Sequence, residues 1–269
     1  MRIPLILIMI LDEIVEHKRT EVEAAKARVP QATIEGQLAE AAPVRAAADK
    51  LKVPGCIRVI AELKKASPSG GLLSAEFVPG DIAREYESNG AAALSVLTDE
   101  KYFQGCLEYM KEAKAATSIP VLRKDFVIDP YQIYEARAAG ADLVLLIVRI
   151  LSREELEDFL RLTRELGMEA LVETHSESEV VAAVEVGSNI IGVNNRNLDT
   201  LTVDLETTRR LRGLIPEGPI VVSESGIKTA EDMRKLREWQ VDAVLVGESL
   251  MRSPDRGKAL AELVLAGKS

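Results

Sequence analysis

Residues 140–174 read GADLVLLIVRILSREELEDFLRLTRELGMEALVET and contain one complete strand–helix–strand unit. Asp142–Val148 is an unbroken apolar run, the pattern of a strand buried on both faces. Arg153–Leu166 follows with a helical pattern. Gly167 stands just past its end, where a left-handed cap wants glycine. A second apolar run, Glu169–Val172, begins at once.

The same unit extends in both directions. Apolar runs fall at Ile57–Leu63, Ala92–Leu97, Pro120–Arg123, Ile190–Val193, Pro219–Val222 and Ala243–Val246. Helical patterns separate them at Asp81–Ser88, Cys106–Ala116, Tyr131–Ala139, Glu177–Val186, Leu205–Leu214, Ala230–Trp239 and Arg256–Leu265. Gly90, Gly140 and Gly187 repeat the role of Gly167. Eight strands alternating with eight helices predict an α/β fold, a closed (β/α)8 TIM barrel over residues 52–269. A doubly wound open sheet is the alternative, but no Gly-x-Gly-x-x-Gly follows the first strand. Residues 11–28 and 33–51 read as helices interrupted by Pro30 and Pro43, so residues 1–51 form an N-terminal helical extension.

Composition fits this reading. The chain has 269 residues, 47% of them hydrophobic and only 4% aromatic, so aliphatic residues must fill the core. The net charge of −9 with no basic tract argues against nucleic acid, yet leaves a local anion site possible. Cys56 and Cys106 lack metal-ligand spacing and read as reduced thiols of a cytoplasmic protein. His17 and His175 are too few for a histidine metal cluster, and His17 reads as surface. Ile3–Leu11 is too short to span a bilayer and has no cleavage site, so no membrane is expected. Met9 is expected as the true start, with residues 1–8 a gene-calling artefact; the competing reading is an apolar segment packed on the barrel.

Barrel active sites occupy the C-terminal ends of the strands. Side chains two apart share a face, so Glu62 and Lys64 point together into the mouth if Leu63 packs under a helix. Lys124 shares a face with Leu122, Glu173 ends the fifth strand and Asn194 the sixth. Lysines opposite carboxylates form a proton-transfer constellation. A lysine near another cation is expected to lose basicity, and a carboxylate in a poorly solvated mouth to gain it. The last two strands end in Ser223-Glu224-Ser225-Gly226 and Gly247-Glu248-Ser249. Small residues there let backbone N–H groups approach a phosphate. Glu248 is awkward in that role, and its side chain is expected to point away.

Six of these segments resemble the indole-3-glycerol-phosphate synthase family, in family order. They are Glu-Leu-Lys-Lys-Ala-Ser-Pro-Ser at 62–69, Leu-Arg-Lys-Asp-Phe at 122–126, Leu-Val-Glu at 171–173, Gly-Val-Asn-Asn-Arg-Asn-Leu at 192–198, Ser-Glu-Ser-Gly-Ile at 223–227 and Val-Gly-Glu-Ser-Leu-Met at 246–251. The resemblance covers nearly the whole chain from residue 9, and its first motif is highly specific. It implies a phosphorylated substrate, 1-(o-carboxyphenylamino)-1-deoxyribulose 5-phosphate. The implied products are indole-3-glycerol phosphate, carbon dioxide and water, with no cofactor and no metal. It further implies an enzyme that is a monomer or homodimer, loosely associated with other tryptophan-pathway enzymes.

On this reading Lys124 is the general acid, Glu173 the general base and Glu62 a proton shuttle. Lys64 pairs with substrate anions or serves the dehydration. Asn194 orients the substrate, Arg196 organises its loop, and Ser67, Leu198 and Glu224 complete the substrate contacts. Pro68, Phe126 and Leu145 wall the aromatic ring. Ser225, Gly226, Gly247, Glu248 and Ser249, with Lys64, hold the phosphate. Two departures stand out: Gly70 where relatives often carry a basic residue, and Glu248 where some carry serine, which leaves Ser249 to offer a hydroxyl. Other phosphate-binding barrels, such as a phosphoribosyl isomerase, a flavin-dependent barrel oxidoreductase and an inactive binding protein are the alternatives.

Overall fold

The computed structural model describes residues 8–198 and 200–268. The expected start at Met9 and the alternative apolar segment packed on the barrel concern residues 1–8, which, but for Ile8, lie outside the described residues. The chain begins with α1 (Ile8–Arg28), α2 (Gln31–Gln37) and α3 (Ala48–Leu51). The first barrel strand, β1 (Arg58–Leu63), leads into a small hairpin, β2 (Ala66–Ser67) and β3 (Gly71–Leu72). Then come α4 (Pro79–Ser88), β4 (Ala93–Leu97), α5 (Leu107–Ala116), β5 (Val121–Lys124), α6 (Pro130–Ala138), β6 (Leu143–Ile147), α7 (Arg153–Glu165), β7 (Glu169–Thr174) and α8 (Glu177–Glu185). The chain ends with β8 (Ile190–Asn194), α9 (Glu206–Arg212), β9 (Ile220–Glu224), α10 (Ala230–Glu238), β10 (Ala243–Val246), α11 (Glu248–Met251) and α12 (Arg256–Ala266).

The parallel strands close in the order β1-β10-β9-β8-β7-β6-β5-β4, with β1 pairing both β10 and β4. This is the expected (β/α)8 barrel, not an open sheet. Helices α6, α7, α8, α10 and α12 start with a side chain that accepts an N–H of the first turn. Ser152 and Glu155 form a reciprocal capping box on α7, and Thr229 and Asp232 do the same on α10. Gly90, Gly140, Gly167 and Gly187 all adopt positive φ just after helices, as their placement predicted.

Period-two alternation divides the core into two layers. Val59, Ala61 and Leu63 face the helices, as do Val144, Leu146 and Val172. Ile60, Leu122, Leu143, Leu145, Leu171, Ile190, Val222 and Leu245 fill the barrel interior. Leu63 is fully buried in the outer layer, which turns Glu62 and Lys64 inward.

The helical stretch read over 33–51 breaks around Pro43, and more widely than one proline requires. Helix α2 stops at Gln37, residues 41–47 run without helix, and only Ala48–Leu51 is helical again. The reason is packing at the barrel floor: Ala47 and Leu51 are wholly buried against the interior layer. Arg45 fixes this segment through the carbonyls of Ile119 (2.7 Å) and Lys114 (2.9 Å), and its N–H donates to Asp142 (2.6 Å). Helix α1 lies at the opposite end, where Leu11 and Ile14 reach the mouth. Among the described residues no helix is long and apolar enough to cross a membrane.

Candidate active site

Following each strand upward from the apolar interior shows how the site is built. In β1 the inward series runs Ile60, Glu62 and continues to Lys64 just past the strand; in β5 it is Leu122, Lys124; in β7 Leu171, Glu173; in β9 Val222, Glu224. Hydrocarbon thus gives way to charge at one rim. The charged groups border a cavity of about 630 Å³. Every residue singled out from the sequence lines it: Glu62, Lys64, Ser67, Pro68, Lys124, Phe126, Leu145, Glu173, Asn194, Arg196, Leu198, Glu224, Ser225, Gly226, Gly247, Glu248 and Ser249.

Lys124 is the hub. Its Nζ lies 3.0 Å from Glu173 Oε2 and 3.7 Å from Glu224 Oε2. Lys64 Nζ pairs with Glu62 Oε1 at 2.5 Å, and Ser95 Oγ donates to the other oxygen of Glu62 at 3.4 Å. Asn194 Nδ2 donates to Glu173 Oε1 at 3.1 Å.

These neighbours correct the expected proton affinities. Burial opposes the charge of Lys124, but Glu173, Glu224 and Glu62 outweigh it and hold the ammonium above its ordinary range. Lys124 is governed by three carboxylates rather than by a second cation. Burial would also raise Glu173, yet Lys124, then His175 and Asn194, keep it well below the carboxylate range. The carboxyl that does rise is Glu224, to about 8. Burial is the main cause and the charge of Glu173 adds to it, while Lys124 opposes. No local pattern encodes this division, because it depends on which carboxylate lies nearer one ammonium.

The turn after β9 is held by Asn195. Its Nδ2 donates to Ser223 Oγ (3.0 Å) and to the carbonyls of Glu224 (2.9 Å) and Ser225 (3.0 Å), and its Oδ1 accepts from Thr208. Ser225 and Gly226 both sit at positive φ, and a Cβ on Gly226 would stand 2.6 Å from Val203. Backbone without bulk therefore faces the cavity. Across it, Ser249 Oγ donates to the Ile227 carbonyl at 3.1 Å. The side chain of Glu248 does not leave the rim. It pairs with Arg252 (3.1 Å) and Arg196 (3.6 Å), so two guanidiniums hold it at the mouth. Arg252 also donates to the Gly70 carbonyl at 2.8 Å, which ties the hairpin loop to the far rim.

Several lining residues were not foreseen. Phe103, its ring 6.1 Å from that of Phe126, joins Leu97, Leu11 and Ile14 to extend the apolar wall. Only the fold brings α1 and the loop after β4 to this rim. Among the described residues no group of three or more His, Cys, Asp or Glu is placed to hold a metal ion.

A closed barrel that gathers buried lysines and carboxylates at the C-terminal rim of its strands, beside the glycine-bearing turns after its last two strands, has the architecture of a (β/α)8-barrel enzyme. The family model for indole-3-glycerol phosphate synthase matches residues 11–263. An indole-3-glycerol phosphate synthase of Roseiflexus sp. (strain RS-1) is 49% identical over 262 residues, covering 94% of this chain and 97% of that protein. One from Ruminiclostridium cellulolyticum is 48% identical, covering 95% and 98%. In fold alone, the chain resembles thiamine phosphate pyrophosphorylase from Pyrococcus furiosus, with a TM-score of 0.62 and 19% identity over 83% of this chain and 98% of that one. The chain belongs to the indole-3-glycerol phosphate synthase family.

Proposed function

We propose that Lys124, Glu173 and Lys64 carry the proton transfers of an indole-ring closure at this rim. The chain is a carboxy-lyase of its family. It converts 1-(o-carboxyphenylamino)-1-deoxyribulose 5-phosphate to indole-3-glycerol phosphate, carbon dioxide and water. The observation that supports these roles best is the ammonium of Lys124 held between Glu173 and Glu224 at the base of the cavity. An ammonium so paired is protonated at neutral pH and ready as an acid. Glu173, held low by the same contact, is ionised and ready as a base.

The ribulose carbonyl enters beside Lys124, which donates a proton to its oxygen as the ring carbon bearing the carboxylate attacks. The carbon–carboxylate bond then breaks, releasing carbon dioxide. The new hydroxyl leaves as water with a proton from Lys64, paired here with Glu62, and Glu173 removes the proton whose loss completes the indole. Pro68, Phe126, Leu145 and Phe103 enclose the aromatic ring, while Asn194 orients the substrate. The phosphate lies against Ser225, Gly226 and Gly247, with Arg196 and Arg252 supplying charge. The protein works in the cytoplasm, in keeping with two unbridged cysteines.

The test is direct. Wild-type protein with the named substrate should release carbon dioxide and develop indole fluorescence. Lys124→Ala should lose at least ~10²-fold in turnover, the scale of one general acid, while keeping its fold. A Lys124→Ala variant with most of its activity would overturn the assignment.

A further inference from the structure

We propose that His175 is a positioning residue: its imidazolium orients Glu173 and sets its strength as a base, and Glu179 anchors the ring. The proposal rests on Glu173 being the general base.

His175 follows β7 and shares the inward face of Leu171 and Glu173, two residues on. Its side chain is only 7% exposed. Nδ1 is hydrogen-bonded to Glu179 Oε2 at 3.2 Å, and Nε2 lies 3.2 Å from Glu173 Oε1 as an ion pair whose angle falls outside a hydrogen bond. Glu179 Oε2 also accepts the backbone N–H of His175 at 2.7 Å. Glu179 is fixed in turn in the first turn of α8, where its own N–H donates to the capping Ser176. Ring and anchor thus form a closed unit that cannot swing.

The protonation state follows from geometry. A neutral imidazole has one donor nitrogen and one lone pair. Here both nitrogens face carboxylate oxygens, so a neutral ring would point a lone pair at one of them. The doubly protonated ring sets a positive N–H against each carboxylate, as a hydrogen bond to Glu179 and as a close ion pair, without hydrogen-bond alignment, to Glu173. Burial works against that charge, but the contacts with Glu173 and Glu179 prevail and push the group up to about 9. The charges acting on the ring are Glu173 beside it and Glu179 from α8, and the ring acts in turn on Glu224 of β9. Lys124 of β5 lies on the far side of Glu173.

The two oxygens of Glu173 are thereby given different tasks. Oε1 is held by His175 and Asn194, and Oε2 meets Lys124. The base keeps one oxygen anchored and one facing the chemistry. Without the imidazolium, Glu173 would hold its proton more tightly, and Oε1 would keep only Asn194.

The protein has two histidines, so ring NMR gives two sets of signals, and a His17→Gln variant assigns them. The His175 ring should stay protonated well above neutral pH, and Glu173→Gln should lower its midpoint. In kcat–pH profiles, His175→Asn should move the acidic limb up by about one pH unit, since one unit is the effect of ~1.4 kcal/mol, while KM stays near wild type. Glu179→Gln should move it the same way by less, and should add nothing in the His175→Asn background. Glu179→Gln also carries the test if His175→Asn does not fold. A His175 midpoint near 6.5 that ignores Glu173→Gln overturns the proposal, as does an acidic limb that stays in place. Full turnover by Glu173→Gln would instead remove the general-base reading, and the catalytic half of this proposal with it, while ring titration still reports the contact.

Discussion

Gly247 vacates the space that the carboxylate of Glu62 occupies: a Cβ at position 247 would stand 2.3 Å from Glu62 Oε1. Gly192 does the same for Glu224, at 2.2 Å from its Oε1. Neither φ lies in the left-handed region, and the first atom an alanine would meet at each position is the carboxylate, with Leu171 Cδ1 next at 3.2 Å from position 192. Gly192→Ala and Gly247→Ala should therefore cost turnover by about 10²-fold, the penalty of an ångström of misplacement, and lower Tm by only a few degrees. Gly187 is the contrast. Its φ is +70° with open space around it, so Gly187→Ala should cost roughly 1 kcal/mol of stability and leave kcat alone. Parallel kinetics and melting curves of the three variants check this; undiminished kcat in both inward-facing variants would defeat it.

Glu224 gives stability a pH dependence whose sign can be worked out. Its folded-state pKa is raised, to about 8 from an ordinary 4.5. The folded protein thus binds a proton that the unfolded chain gives up. That contribution is fully present below 4.5 and is lost as pH rises through about 8. Glu224→Gln keeps the neutral shape and has no proton to lose. Melting curves from pH 5 to pH 9 should show the variant gaining on wild type as pH rises. A difference that stays flat, or shrinks, would contradict the raised carboxyl.

The charged rim was legible because strand alternation is rigid. Once Val59, Ala61 and Leu63 are outward, Glu62 and Lys64 have one direction left, and the same holds for Lys124 above Leu122. What could not be read were the partners. The carboxylates around Lys124 come from β1, β7 and β9, and their ranking depends on distances that no local pattern encodes. The hairpin β2–β3 has two-residue strands, below the length at which alternation shows. The break in the helix at 41–47 was legible at Pro43, but its breadth reflects a barrel floor that needs Ala47 and Leu51, a tertiary demand that overrides helical propensity.

Lys18 shows the same limit in one residue. It lies within a helix rich in surface charge, yet it is 4% exposed. Its Nζ reaches Asp99 at 2.9 Å and Asp125 at 3.0 Å, two acids from different loops. Burial would raise Asp125, but Lys18 and Arg123 hold it well below the carboxylate range. Lys18→Met should cost ~3–5 kcal/mol at neutral pH, the penalty for leaving a buried charge unpaired. Asp125's contribution is present above its unfolded pKa and is lost as pH falls through its folded one. The gap between variant and wild type in urea titrations should therefore narrow toward acid pH. A gap below ~1 kcal/mol at pH 7 would place this cluster with ordinary surface pairs.

In the proposed function Glu248 stands among the groups that receive phosphate, yet it carries negative charge. Its carboxylate occupies Arg252 at 3.1 Å and Arg196 at 3.6 Å, so a phosphate entering this rim competes with it for both guanidiniums. Glu248→Ser should remove the competitor and lower KM for the phosphorylated substrate about threefold to tenfold, tenfold being ~1.4 kcal/mol. The gain should fade with added salt, because the pair is partly exposed and screened. Arg252→Ala should act oppositely. It removes a phosphate-facing cation and the 2.8 Å bond to the Gly70 carbonyl, raising KM and releasing the hairpin from the rim. If Glu248→Ser raises KM instead, the carboxylate is holding the two arginines in place for phosphate rather than competing with it.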